Sequence, residues 1–170
     1  PPLGSGVNLF SSDNNIVSGI ECTGFDVGVW PDDSSDGNRI DNSTFYGMGV
    51  GLQISSTNTI AADNTLHNLS TIGIRLYGEA ITVKNNVLKD IDGGGMLIMY
   101  SNNNIINANE IINCSNYGVQ INNQDTENNL VYGNNFINNN NNNSQASDTG
   151  TNNRWNSTDL GNYWSDWTSP

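Results

Sequence analysis

The sequence predicts an all-β fold, a parallel β-solenoid of about six turns, and three observations carry that expectation. The pattern Gly-apolar-variable-apolar recurs at Gly51-Leu52-Gln53-Ile54, Gly73-Ile74-Arg75-Leu76, Gly95-Met96-Leu97-Ile98 and Gly118-Val119-Gln120-Ile121. Its glycines are 22, 22 and 23 residues apart, and a weaker copy, Gly28-Val29-Trp30, lies 23 residues earlier. Within each copy the alternation has the period of two that marks a strand with one buried face. Finally, 33 of the 170 residues are Asn, more than Ala, Glu, Lys and Arg together, which removes a helical bundle from consideration. About 22 residues is too short for a strand, a crossover helix and a return strand, so each repeat is read as one solenoid turn.

The elements follow in chain order. Residues 1–6, Pro-Pro-Leu-Gly-Ser-Gly, read as a tag remnant or a disordered N-terminus. Residues 7–137 carry the repeats, whose equivalent positions stack about 4.8 Å apart. Two inner ladders are expected, Val29-Leu52-Ile74-Met96-Val119 and Ile54-Leu76-Ile98-Ile121. A third aligns Cys22, Phe45, Leu66, Val87, Ile111 and Phe136, preceded by a corner ladder at Asn64, Asn85, Asn109 and Asn134. Asn suits such corners, because it tolerates the left-handed conformation and its amide bonds to an identical neighbour one turn away. Asp63 and Lys84 fall at one repeat position and are read as a stacked surface pair. Residues 138–153, almost wholly polar, read as an exposed Asn-rich loop, and 154–170, with three of the four Trp, as an aromatic C-terminal cap over the last turn.

Charge narrows the partners. Seventeen acidic against five basic side chains give a net charge of -12, with no basic cluster, which argues against nucleic acid. No apolar run is long enough for membrane insertion, so a soluble chain is expected, either mature or cut from something larger. Cys22 and Cys114 belong to turns about four apart, roughly 19 Å on the solenoid rise, so both are read as buried thiols. Five Asn-x-Ser/Thr sequons, at Asn42, Asn68, Asn113, Asn142 and Asn156, are no more than this composition yields by chance.

The Asn-x-apolar and Gly-apolar-x-apolar turns resemble the right-handed parallel β-helix repeats of the NosD-like family, also described as carbohydrate-binding and sugar-hydrolase domains. Gly161-Asn162-Tyr163-Trp164-Ser165-Asp166 resembles the segment that closes this repeat in archaeal cell-surface proteins. The likeness covers residues 8–167. It implies an extracellular or cell-surface location, and through NosD it implies copper, for which the chain offers His67, Met48, Met96, Met99 and the two cysteines.

Three candidate sites follow. The outward ladder Trp30, Gln53, Arg75, Gln120, with Leu97 and the neighbouring Tyr77, presents aromatic and amide groups suited to sugar rings and is the candidate ligand-binding face. Right-handed β-helices resemble polysaccharide lyases, epimerases and glycosidases, which need a base and often calcium. Arg75, Lys89 and Asp92 are the catalytic candidates under that resemblance. Asp32, Ser34 and Asp36, followed by Gly37, match the opening of a calcium loop, but Ser43 stands where the bidentate Glu of an EF-hand belongs; calcium is the cofactor considered. The leading expectation is a non-catalytic extracellular or cell-surface module with a structural, adhesive or assembly role, self-associating end to end or laterally. The alternative is a carbohydrate-binding β-helix, with or without lyase or glycosidase activity. Polysaccharide or neighbouring surface-protein copies are the expected partners.

Overall fold

The computed structural model describes residues 4–167. Within them the chain winds through three parallel sheets. The first sheet holds seven strands: Ser5–Leu9, Val27–Pro31, Val50–Ile54, Ile72–Leu76, Gly94–Met99, Val119–Asn122 and Ala146–Asp148. The second holds six: Ile16–Ser18, Arg39–Asp41, Ile60–Ala62, Thr82–Lys84, Ile105–Asn107 and Leu130–Tyr132. The third again holds seven: Glu21–Thr23, Thr44–Tyr46, Thr65–His67, Val87–Ile91, Glu110–Cys114, Asn135–Ile137 and Tyr163–Trp164. Each turn contributes one strand to each sheet, which is a β-solenoid of about six turns.

The register explains the repeat. Ile74 pairs with Leu52 and Met96, and Leu76 with Ile54 and Ile98, so both inner ladders of the first sheet form and are fully buried. The glycine that opens each copy is fixed by close approach, because a Cβ on Gly73 would stand 2.6 Å from the Gly95 carbonyl oxygen and 2.7 Å from Leu88 Cδ2. Residues of left-handed backbone recur where the chain bends from one sheet towards the next. Asn42, Asp63, Asn85 and Ala108 serve between the second and third sheets, and Asn68, Asp90, Asn113 and Asn138 where the third turns towards the first. Asn58, Ala80, Asn103 and Asn128 do so between the first and second, all twelve with φ between 47° and 59°. Asn pays least among non-glycine residues for that conformation, which accounts for much of its abundance.

The third ladder differs from expectation by one residue in one turn. Leu88, not Val87, pairs with Leu66 and Ile111 and is fully buried. The corner ladder accordingly runs Asn64-Asn86-Asn109-Asn134, while Asn85 is exposed and takes the left-handed position. In each step the backbone N–H and Nδ2 of one Asn donate to Oδ1 of the next, at 2.9–3.0 Å, as far as Asn162. The same shift dissolves the expected Asp63–Lys84 pair, since Lys84 lies beside Ala62 and Asp63 accepts from Asn85. A second amide ladder, Asn104-Asn129-Asn153, lines the corner between the first and second sheets.

Both ends extend further than the sequence suggests. Ser5 and Gly6 lie in the first strand, paired with the strand Val27–Pro31, and residues 1–3 fall outside the described residues. Within 138–153, expected to be a loop, Ala146–Asp148 continues the first sheet, and buried Asn139 and Gln145 complete an amide step under Cys114. Composition misleads there because the turn is held by side-chain amides rather than by apolar residues. Beyond it, Trp164 stacks on Phe136, with centroids 4.3 Å apart and planes 9° apart, and Trp155 tilts against both rings. Cys22 and Cys114 are both buried free thiols. Burial pushes the Cys114 thiol up to about 12. Among the described residues no helix is long and apolar enough to cross a membrane.

Candidate functional site

The outer face of the first sheet is the richest in chemistry. Register places Gln53, Arg75, Leu97 and Gln120 side by side on successive strands, with Trp30 on the strand before, so these residues share one sheet. Arg75 turns one guanidinium arm to Gln53, donating to its Oε1 at 3.2 Å. Arg75 Nε and Trp30 Nε1 are both buried without a hydrogen-bond partner among the described residues.

At one end of this ladder the surface sinks into a slot of about 360 Å³ lined by Trp30, Asp32, Asp33, Ser55 and Tyr77. The slot exists because Asp32, Ser55 and Tyr77 follow three successive strands, so the small Ser55 sits between larger neighbours. The backbone N–H of Ser55 donates to Pro31 at 3.0 Å and that of Tyr77 to Ile54 at 2.8 Å, which fixes the spacing. The sequence alone does not assign Asp32 and Asp33 to this face, because they belong to a turn whose position depends on the three-dimensional register. A second concavity of about 370 Å³, lined by Gln145, Trp164, Asp166 and Trp167 among others, opens at the last turn.

The calcium candidates are drawn into hydrogen bonds of their own turn and its neighbours. Asp32 Oδ1 accepts the Ser34 N–H and the Ser34 and Ser35 hydroxyls at 2.8–3.1 Å, closing its own turn. Its partial burial pushes the carboxyl up, but the hydrogen bonds from Ser35 and Ser34 outweigh that and hold it below the ordinary carboxylate value. Asp36 Oδ1 instead accepts the Thr57 N–H of the next turn at 2.9 Å, which lowers its carboxyl too. Ser34 Oγ accepts the Ser11 N–H. Asp32 thus closes its own turn, while Asp36 and Ser34 tie it to the turns on either side.

The catalytic candidates are dispersed. Arg75 lies on the first sheet, whereas Lys89 is exposed on the third, in register with His67, and Asp92 is exposed at the corner that follows. Sequence proximity misled here because residues 75 and 89 are most of a turn apart and face different sides of the solenoid.

Comparison with known proteins places this geometry. A family model described as "Periplasmic copper-binding protein (NosD)" matches residues 3–169. A cell surface glycoprotein of Methanothermus fervidus is 32% identical over 182 aligned positions, which cover 95% of this chain and 29% of the glycoprotein. The chain therefore spans less than a third of that curated relative. Among solved structures, the periplasmic alginate epimerase AlgG superposes with a TM-score of 0.63, 19% identity, 78% of this chain and 32% of its own. Its T265N mutant gives 0.66, 20%, 78% and 32%. At such identities the likeness is one of fold.

The copper in the family's description finds no matching donor set. Met96 is fully buried in the core, Met48 is buried, and Met99 lies on the first sheet in register with Asn122. His67 stacks flat on Tyr46 with centroids 5.3 Å apart. Burial raises both thiols, which opposes the thiolate that copper takes. No three His, Cys, Asp or Glu side chains converge among the described residues. The residues present do not fit a copper centre.

Proposed function

This chain belongs to the NosD family, and from that premise we propose that it is a surface-exposed β-helix module of a longer cell-envelope protein, with a structural, adhesive or assembly role rather than a catalytic one. The observation that carries this reading is the pairing of coverages: nearly the whole chain corresponds to less than a third of a cell surface glycoprotein, as a module within a larger surface protein does. The physical form suits the role. Stacked core ladders and two amide ladders make a stiff rod, about 29 Å for six turns at the strand spacing. The outer face of the second sheet offers a means of lateral association, because one outward position runs Ile16, Arg39, Ile60, Thr82, Ile105 and Leu130, four apolar residues of six, with Ile16 70% and Ile105 39% exposed.

Light scattering coupled to size exclusion, with electron microscopy of the same sample in the presence and absence of calcium, tests the assembly role. Concentration-dependent dimers or regular arrays that Ile105→Lys disperses are the expected result. A strictly monomeric chain at every concentration would remove self-assembly from this segment. A calcium-dependent change in the same samples would give the Asp32–Asp36 turn a cation-binding part in it.

A second reading, carbohydrate binding on the first sheet, is favoured by one specific observation, the slot that Trp30 and Tyr77 share with two carboxylates and a hydroxyl. It is compatible with a surface module, since adhesion through a glycan needs only a binding face.

A further inference from the structure

We propose that the chain is N-glycosylated at Asn68 and Asn113, on the one corner of the solenoid that does not border the second sheet, so that its glycans stand away from the apolar face. The inference rests on the reading of the chain as a surface module and adds two modification sites to it.

The number of sequons carries no weight, but the register decides where one falls. A buried ladder asparagine is followed two positions on by an inward residue of the next strand: Leu66 after Asn64, Leu88 after Asn86, Ile111 after Asn109 and Phe136 after Asn134, all fully buried. Ser or Thr in their place would bury a hydroxyl in the core, so the amides that hold the turns together are barred from the Asn-x-Ser/Thr pattern. A left-handed corner residue is followed two positions on by an outward one instead. Sequons within the repeats are thereby confined to corners, and Asn42, Asn68 and Asn113, with φ of 47°, 52° and 53°, are all exposed there.

The corners are not equivalent. Between the first and second sheets, Asn14, Asn58, Asn103 and Asn128 are exposed and left-handed, yet the residues two positions on are Ile16, Ile60, Ile105 and Leu130. These are the outward apolar residues of the second sheet, so the stripe that suits lateral association itself denies that corner a sequon. Where the third sheet turns towards the first, Ser70 follows Asn68 and Ser115 follows Asn113, and both serines are exposed. The hydroxyl residue that follows Asn42 is less open, since Thr44 is half-buried within the strand Thr44–Tyr46. Asn68 and Asn113 lie two turns apart, about 9.6 Å, with Asp90 left-handed in the turn between them.

The modification leaves the corner intact. Asn Nδ2 bonds to the anomeric carbon of an oligosaccharide carried on a lipid-linked phosphate. The carbon–oxygen bond to the phosphate breaks, the phosphate leaves with that electron pair, and Nδ2 gives up one proton. The second Nδ2 hydrogen stays, so Asn113 keeps its 3.1 Å bond to Asp90 Oδ1. A bulky, hydrophilic glycan then shields the edge between the third and first sheets and leaves Ile16 and Ile105 open to a neighbour.

The test uses the parent polypeptide, recovered from intact cells through a membrane-impermeant amine label and cut into peptides for mass spectrometry. Peptides holding Asn68 and Asn113 are expected to carry an added oligosaccharide mass on most copies, and those holding Asn58, Asn103 and Asn128 none. Ser70→Ala and Ser115→Ala should each delete the mass from their own asparagine. Ile105→Thr, which completes the pattern at Asn103, should add one there. Unmodified Asn68 or Asn113 in the labelled protein overturns the inference and leaves surface display standing. A mass that survives the serine substitutions, or Asn103 left bare in Ile105→Thr, overturns the claim that the outward residue selects the corner. Failure to recover the polypeptide from the cell surface overturns display itself, and the inference with it.

Discussion

Replacing Asn86 tests the physical basis of the solenoid more sharply than any other single substitution. Its Nδ2 lies 3.0 Å from the Ala61 carbonyl, 3.0 Å from the Lys84 carbonyl and 2.9 Å from Asn109 Oδ1. Its Oδ1 accepts both the N–H and the Nδ2 of Asn64 at 3.0 Å. Asn86 is 1% exposed, so water does not take over these bonds without opening the corner. In Asn86→Leu the volume is nearly kept, but the Asn64 N–H and the Ala61 carbonyl lose the Asn86 amide, while the Lys84 carbonyl keeps the Asp63 N–H at 3.2 Å. At about 1–3 kcal/mol for each of the two buried groups, with some relaxation, the loss is about 2–4 kcal/mol. Because Leu fills the space, a cavity contributes little, and Asn86→Ala is expected to be no milder. The control is the adjacent Asn85→Ala. Asn85 is exposed and makes one bond, to Asp63, so the cost is that of Ala in a left-handed corner, about 1 kcal/mol. Urea denaturation followed by far-ultraviolet circular dichroism gives the two values. If Asn86→Leu stays within about 1 kcal/mol of the parent, or if Asn85→Ala is the more damaging, the buried amide ladder does not hold the turns as described.

Three other expectations are open to the same measurement. Gly73→Ala places a methyl group against the Gly95 carbonyl, which belongs to the backbone and has little room to yield, so a loss of about 2 kcal/mol or more is expected; a neutral outcome would mean the turns are less tightly stacked. Trp164→Ala removes the ring stacked on Phe136 at the last turn and should cost about 2 kcal/mol while raising proteolysis from that end, and an unchanged stability would deny Trp164 a capping role. The carboxyls of Asp32, Asp36 and Asp41 are held below 3.8: in Asp32 hydrogen bonds outweigh burial, in Asp36 the Thr57 N–H leads, and in Asp41 the Ser18 hydroxyl leads, with Arg39 adding to it. A folded value below the unfolded one stabilises above 3.8 and is lost as pH falls through the folded value, so their contribution is flat from neutrality down towards 3.8 and disappears below it. Equal denaturation midpoints above and below that value would contradict it.

Much of the fold is legible in the sequence because the inner ladders repeat a local alternation that needs no tertiary information. Val29, Leu52, Ile74, Met96 and Val119 are identified by it, and all are fully buried. The single slip, Val87 for Leu88, arises at Asn85-Asn86, where two consecutive asparagines fit the corner equally well by composition. Only the backbone distinguishes the left-handed residue from the buried amide. The last turn was hidden for a related reason: Asn139 and Gln145 are buried through hydrogen bonds, which hydropathy does not register. The outward ladder was readable from the period, but the slot was not, since it depends on Ser55 falling between Asp32 and Tyr77 in adjacent turns. Arg75, Lys89 and Asp92 are close along the chain, yet a solenoid separates residues part of a turn apart and unites those a full turn apart.

The proposed display of this β-helix at the cell surface, within a longer protein, is best tested by antibody labelling of cells that make it. Antibodies raised against the folded chain should decorate intact, unpermeabilised cells and detect a polypeptide substantially longer than this segment. Labelling that appears only after the envelope is permeabilised would contradict surface display, whatever the fold.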